Sequence, residues 1–200
     1  ELSFPFGVLN YPVEVLRDLG ARARAAGLEV ALHAIGDAAL GQALDVFATT
    51  GETGSIEHAQ LVRLADVARM ADLQVRASVQ PAHLLDDRDI TVQCWPDGEA
   101  RSFPLRTMLD AGVRLAFGSD APVAPADPLL AITAAVHRSG DAREASHPEQ
   151  HLGIAEALAA STDGWGAVTP GHPADLTLLA DDPCGSPQAS TGQVCNRLRD

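Results

Sequence analysis

The sequence predicts an α/β protein built on a parallel sheet, because strand-like and helix-like patterns alternate along it. Four short apolar runs are each followed by a turn or a polar loop, at residues 28–32, 55–58, 75–79 and 113–117. Strands that alternate with helices form a parallel sheet that those helices cover. This order of elements fits either a closed barrel or an open sheet.

Polar residues at the ends of the apolar runs favour the barrel. His33, His58, Gln80 and Asp120 each fall at the C-terminal end of a run. In a (β/α) barrel those ends converge on one rim, where the active sites of this architecture lie. The interval from Gln80 to Asp120 is the longest, and we expect an inserted loop at 86–101 on the same rim. Long rim loops usually carry specificity.

Helices are placed by the spacing of apolar residues and by stop signals. Apolar residues recur at helical spacing in 12–26, and Gly27 follows where such a helix would end. The same spacing predicts further helices, at 38–47, 62–70, 128–138 and 154–160. The first two of these follow apolar runs directly, and the last two would cover the outside of the barrel.

The last part of the chain departs from this alternation. Residues 176–179 are an apolar run that belongs to no strand–helix unit, which suggests a small β appendage. The remainder is rich in Gly, Ser, Pro and Gln and has little apolar content, so we expect poor order there. We therefore divide the chain into a barrel segment at 1–162, an appendage segment at 163–182 and a tail at 183–200.

Composition argues against several classes of partner. The formal net charge is −13 and the pI is near 4.7, which offers no cationic surface for nucleic acid or anionic lipid. No apolar stretch approaches the roughly 20 residues that span a bilayer. The first residues lack the charged and apolar regions of a signal peptide, so we expect none. The three cysteines have no CxxC spacing, so no disulfide framework is indicated. We expect a cytoplasmic protein with a small-molecule substrate.

Three of the strand-end residues could form a metal site. Zinc-type sites need imidazole nitrogens and carboxylate oxygens that converge on one point and leave a position open for water. His33 and His58 are candidate ligands, and Asp120 could bind metal and also take a proton from the bound water. A single strand-end histidine is more often structural, and a Gly-Ser-Asp turn is more often a helix cap. The three residues together favour a metal site.

Five segments, taken together, support a family assignment. They are HAIGD at 33–37, EHAQ at 57–60, SVQPAH at 78–83, LDAGVRLAFGSDAPV at 109–123 and PGHPADLTLL at 170–179. In this order they resemble the family-3 amidohydrolases, the branch that includes N-substituted formamide deformylases. The resemblance implies strands 5–8 of a distorted TIM (β/α)8 barrel, the C-terminal half, with part of a β-sandwich. It also implies hydrolysis of amide-type C–N bonds with one or two divalent metal ions, most commonly zinc.

The resemblance assigns a role to each matched residue. His33, His58 and Asp120 correspond to the metal ligands of strands five, six and eight. His83 and Arg101 would contact substrate, although a surface position for His83 and a loop ion pair for Arg101 fit equally well. Three further residues would orient the ligands through hydrogen bonds: Asp37, Glu57 and Gln60. Such partners fix the tautomer of a ligand histidine, but helix capping suits Asp37 at least as well.

Two features of the family pattern are absent from this sequence. No HxH motif precedes His33, and no lysine occurs anywhere that could bridge two metals. A half-barrel leaves two unpaired strand edges and an open interior. We therefore expect a missing N-terminal half, or a second copy in a homodimer, to close the barrel, and little hydrolysis by this chain alone. The alternatives are a non-catalytic half-barrel used for binding or oligomerisation, and a deaminase-type metal enzyme.

Overall fold

The computed structural model describes residues 8–51, 53–164, 168–171 and 174–178. The strands are β1 (Val30–Ala34), β2 (Gly54–His58), β3 (Arg76–Val79) and β4 (Leu115–Phe117). The helices are α1 (Val13–Ala25), α2 (Asp37–Thr50), α3 (Leu64–Asp72), α4 (His83–Cys94), α5 (Leu105–Asp110), α6 (Pro128–His137) and α7 (Ile154–Ser161). Short 3-10 turns lie at Glu99–Arg101 and Pro148–Gln150.

The four strands form one parallel sheet in the order β1-β2-β3-β4. Each strand pairs with the next one along the chain, and a helical connection lies between them, which confirms the predicted alternation. The arrangement is consistent with part of a TIM barrel. Within the described residues, β1 and β4 are each paired on one side only.

The hydrophobic core lies between the helices and one face of the sheet. Ile56 of β2 is fully buried, together with Phe47 of α2, Met70 of α3, Met108 of α5 and Ala157 of α7. Side chains alternate between the two faces of a strand. Ala31 and His33 therefore lie on the opposite face of β1, and both are exposed. The helix-covered face holds the fold together, and the other face remains open.

The predicted insertion at 86–101 is mostly a helix and not a loop. α4 covers Asp86 to Cys94, and a 3-10 turn includes Arg101. The run of charged residues after Leu85 hides the helical spacing, because within α4 only Leu84 and Thr91 are buried. Helix α5 also escaped prediction, since six residues are too few to show a periodic pattern.

The predicted β appendage is not seen in the described residues. Residues 174–178 form no strand, and Leu178 is 98% exposed. A strand needs a hydrogen-bonded neighbour, and the described part of the chain supplies none there. Leu179 and the predicted tail at 183–200 lie outside the described residues, so the domain boundaries stay predictions. No described helix combines the length and the apolar character needed to cross a membrane.

Candidate functional site

The C-terminal ends of the four parallel strands bring the predicted polar residues to one rim. His33 is the fourth residue of β1, and His58 is the last residue of β2. Gln80 follows β3 directly, and Asp120 lies three residues beyond the end of β4. Parallel strands end on the same side of a sheet, so these residues lie near each other as the sequence predicted.

Three of the rim side chains converge on a common point. His58, His83 and Asp120 each offer one ligand atom, and these atoms all lie within 4.8 Å of one another. The rings of His58 and His83 are stacked, with centroids 6.0 Å apart and an interplanar angle of 20°. His33 lies beside them and packs its ring edge-on against His58 at 4.5 Å. The three converging groups are called the rim triad below.

Two nitrogen atoms of the rim triad are buried without hydrogen-bond partners. They are Nδ1 of His58 and Nε2 of His83. Buried polar atoms in folded proteins almost always have a partner. Two unpaired imidazole nitrogens beside a carboxylate are the donor set that binds zinc and similar divalent ions. The residues therefore fit a divalent metal.

The environment of His58 favours its neutral form. Burial lowers the pKa of His58 below its ordinary value, and the neighbouring His33 lowers it further. The charge of Asp120 opposes this shift without overcoming it. A histidine binds metal through the neutral imidazole. His58 is thus held in the protonation state that a ligand needs.

The backbone is strained at and beside two residues of the rim triad. His58, Ala59 and Asp120 have φ values of 75°, 43° and 56°, in the left-handed region that non-glycine residues rarely adopt. Hydrogen bonds fix the turn after β2, from the amide of Ala59 to the carbonyl of Ala34 at 3.1 Å and from Leu61 to Ile35 at 2.9 Å. Strain of this kind persists only where surrounding contacts enforce it, and it concentrates at functional sites.

Comparison with known proteins decides the family. The family model described as "Amidohydrolase family" matches residues 2–191. The chain belongs to the amidohydrolase family. It is 33% identical over 196 residues to Protein LONG AFTER FAR-RED 3 of Arabidopsis thaliana, covering 86% of this chain and 34% of that protein. It is 28% identical over 208 residues to the N-substituted formamide deformylase of Arthrobacter pascens, covering 94% and 38%.

A solved structure supports the same assignment. An uncharacterised metal-dependent hydrolase of Pyrococcus horikoshii OT3 superposes with a TM-score of 0.82 at 36% identity, covering 90% of this chain and 39% of that one. The predicted resemblance to amidohydrolases is therefore confirmed. This amidohydrolase chain spans a little over a third of the length of the relatives it matches.

The rim triad of this amidohydrolase differs from the predicted ligand set at one position. The sequence grouped His33 with His58 and Asp120, whereas the atoms that converge within 4.8 Å belong to His58, His83 and Asp120. His83 was expected to face substrate. It reaches the triad because its amide donates to the carbonyl of Gln80 at 3.0 Å, in a turn that leads from β3 into α4. The Gln-Pro-Ala-His sequence after the strand was the available signal for that turn.

The remaining predicted residues form pairs around the triad. Nη1 of Arg101 donates to Oδ2 of Asp37 at 2.6 Å, so these two rim residues bind each other across the turn after β2. Oε1 of Glu57 accepts from the Ser55 hydroxyl at 2.5 Å. These contacts match the predicted ion-pair alternative for Arg101. The role of Glu57 as a hydrogen-bond partner of His58 stays a prediction.

Gln60 has a partner that the sequence did not suggest. Its side chain was expected to lie behind His58, and Nε2 instead donates to Oδ2 of Asp87 on α4 at 2.9 Å. Only 3% of Gln60 is exposed. The signal was hidden because Asp87 belongs to the segment that was predicted as a loop.

Proposed function

We propose that the full-length protein is a metal-dependent hydrolase that cleaves C–N bonds other than peptide bonds, in small N-acyl, N-formyl or related amide substrates. The observation that carries this proposal is the convergence of His58, His83 and Asp120 in a member of the amidohydrolase family, with two buried imidazole nitrogens unpaired. N-substituted formamides are the first substrates to test, because one relative is named for them.

Metal binding and proton transfer are assigned to the rim residues according to their side chains. His58 and Asp120 would hold the metal, and His33 would join them from the adjoining strand. A bound divalent ion supplies a water of lowered pKa and a Lewis acid for the scissile carbonyl, and zinc is the ion we propose. The Asp120 carboxylate takes a proton from the attacking water and delivers it to the leaving nitrogen. The C–N bond breaks, and the two products, a carboxylic acid and an amine, then leave.

His83 and Arg101 have different places in the proposal. His83 shares the space of the triad, so it either completes the ligand set or donates a hydrogen bond to the substrate carbonyl. Arg101 lies on the same rim, and its ion pair with Asp37 leaves the guanidinium side chain 38% exposed. We propose that this exposed part contacts substrate. A cytoplasmic location stays a prediction.

The free edges of the sheet bear on where catalysis occurs. β1 and β4 are each paired on one side only within the described residues, and the interior face at His33 is exposed. We propose that an N-terminal half, or a second copy of the chain, closes the barrel and completes the ligand set. The 200-residue chain would then hydrolyse little by itself.

The experiment is metal analysis combined with turnover, made on the full-length protein. We expect about one or two divalent ions per chain and hydrolysis of N-substituted formamides or N-acyl amines that a chelator abolishes. Asp120→Asn should reduce turnover by about 100-fold or more, while Asp110→Asn, on the exposed surface of α5, should not. Metal without turnover on any C–N substrate would point to the non-catalytic alternative, and turnover of ring amines to the deaminase alternative.

A further inference from the structure

The two histidines of the rim triad lie on separate structural elements. His58 ends β2, and His83 is the first residue of α4. A metal site tolerates errors of only a few tenths of an ångström in its ligand distances. Some contact must therefore fix α4 against the turn after β2.

Gln60 and Asp87 make that contact directly. Gln60 lies two residues after His58, and Asp87 lies four residues after His83, one helical turn along the same face of α4. The hydrogen bond of 2.9 Å between Nε2 of Gln60 and Oδ2 of Asp87 thus joins the two supports of the histidines. The acceptor is a carboxylate oxygen, and hydrogen bonds to carboxylates are charge-assisted and stronger than those between neutral groups.

The backbone of Gln60 is fixed independently of this bond. Its carbonyl accepts from the amide of Phe103 at 2.8 Å, and Leu61 forms a bridge with Ser102. The residue as a whole is buried. Gln60 is therefore a rigid donor, and the position of Asp87 must adjust to it. A different polar contact of α4, the ion pair of Asp89 with Arg143 at 2.7 Å, lies on the exposed surface.

We propose that Gln60 and Asp87 form a positioning pair that sets the distance between the imidazoles of His58 and His83. Neither residue touches substrate or metal; both act through the histidines they hold. The proposal rests on the proposed function in one respect, that the rim triad binds a divalent metal. It goes beyond that function by assigning the geometry of the triad to a bond between the turn after β2 and α4.

The direction of the hydrogen bond, from the Gln60 amide to the Asp87 carboxylate, provides a specific test. Gln60→Glu keeps the shape of the side chain but places two carboxylates in contact, which should drive α4 away. Gln60→Glu combined with Asp87→Asn restores the hydrogen bond with donor and acceptor exchanged. Asp87→Asn alone leaves an amide oxygen that still accepts from Gln60. The matched control is Asp89→Asn, which removes a charge from the exposed face of the same helix.

The measurements are cobalt(II) affinity, read from its visible absorption, and the imidazole proton shifts of the metal-free, full-length protein. We expect Gln60→Glu to weaken cobalt binding by about 10- to 100-fold and to move the signals of both His58 and His83. The double variant and Asp87→Asn should bind cobalt within about 3-fold of the unmodified protein, because both keep the hydrogen bond between positions 60 and 87. The cobalt affinity of Asp89→Asn should be unchanged.

The possible failures can be told apart. If the unmodified protein binds cobalt and Gln60→Glu binds it equally well, the positioning pair is wrong. If the unmodified protein binds no cobalt, the metal site of the proposed function is wrong. The proton signals of His58 and His83 then test the positioning pair on their own. Unmoved signals of His58 and His83 in folded Gln60→Glu would overturn it. Failure of the double variant to restore either readout would also overturn it.

Discussion

Replacement of Gly54 by alanine tests whether the junction of β1 and β2 positions the histidines of the rim. Gly54 begins β2 and pairs with Val30 of β1. Its φ is 156°, and an added Cβ atom would lie 1.9 Å from the carbonyl oxygen of Val30 and 2.9 Å from the carbonyl carbon. Both of these are backbone atoms, so no side-chain rotation relieves the overlap. The two strands must move apart.

The expected loss of stability follows from that displacement. Overpacking of this kind costs about 1–3 kcal/mol, and the hydrogen bond from the Val30 amide to the Thr53 carbonyl, 3.3 Å long, contributes about 1 kcal/mol. Together they give a loss of about 2–4 kcal/mol. Gly112→Ala is the control, because its φ is 84° and nothing lies within 4 Å of the added atom. The backbone penalty there, about 1–2 kcal/mol, is partly offset by reduced freedom of the unfolded chain.

The assay is urea unfolding of the metal-free, full-length protein, followed by circular dichroism. Gly54→Ala should unfold at a lower urea concentration than Gly112→Ala, because only the Cβ atom added at Gly54 overlaps the backbone of Val30 and pushes the two strands apart. The same displacement should alter the contact between His33 and His58, whose ring centroids are 4.5 Å apart. Equal losses in the two variants, or unchanged histidine signals in Gly54→Ala, would refute the reasoning.

Three further predictions concern ionisable side chains. In the metal-free protein, the pKa of His58 should lie below the ordinary histidine value of about 6.5, because burial lowers it. The stability that the neutral His58 contributes is present above the ordinary value and is lost as the pH falls through the lowered pKa. An NMR titration midpoint at or above the ordinary value would contradict burial as the cause. Arg106 lowers the pKa of Glu156, so Glu156→Gln should remove a stabilisation that the unmodified protein loses on acidification, measured by unfolding from about pH 7 to about pH 3. Arg138 is fully buried and donates to the Phe103 and Ser146 carbonyls at 3.1 and 2.6 Å. Since lysine lacks the fork that spans both, Arg138→Lys should cost about 1–3 kcal/mol in urea unfolding, and an unchanged midpoint would count against this role.

The elements that the sequence predicts well are those with a strong apolar pattern. α6 was expected at 128–138 and extends over Pro128–His137, since its apolar residues are continuous and Asp127 caps its first turn. α4 was missed because its stability does not come from an apolar stripe; its charged residues contact Gln60, Arg143 and the loop after α6. Pairwise polar contacts between distant segments leave no periodic signal. For the same reason, the sequence did not reveal Asp87 as the partner of Gln60.

The geometry of the rim could not be derived from strand alternation. His33 pairs with Glu57 in register, and Ala34 pairs with His58. Paired residues of neighbouring parallel strands share a face. Strict alternation would therefore place Glu57 beside His33 and turn His58 toward the helices, with Ile56.

The structure does the opposite for His58, and a single dihedral angle explains it. Its φ of 75° ends the regular strand at that residue, and its ring lies 4.5 Å from that of His33. A sequence pattern carries no information on a positive φ at a non-glycine residue, because such a φ is unfavourable locally and exists only through the contacts around it. The bonds of Ala59 and Leu61 to β1 and its following turn supply those contacts. The sequence thus indicates His58 and Asp120 as members of the converging group but not the place of His83 in it. The direction in which His58 points depends on strain that tertiary contacts maintain.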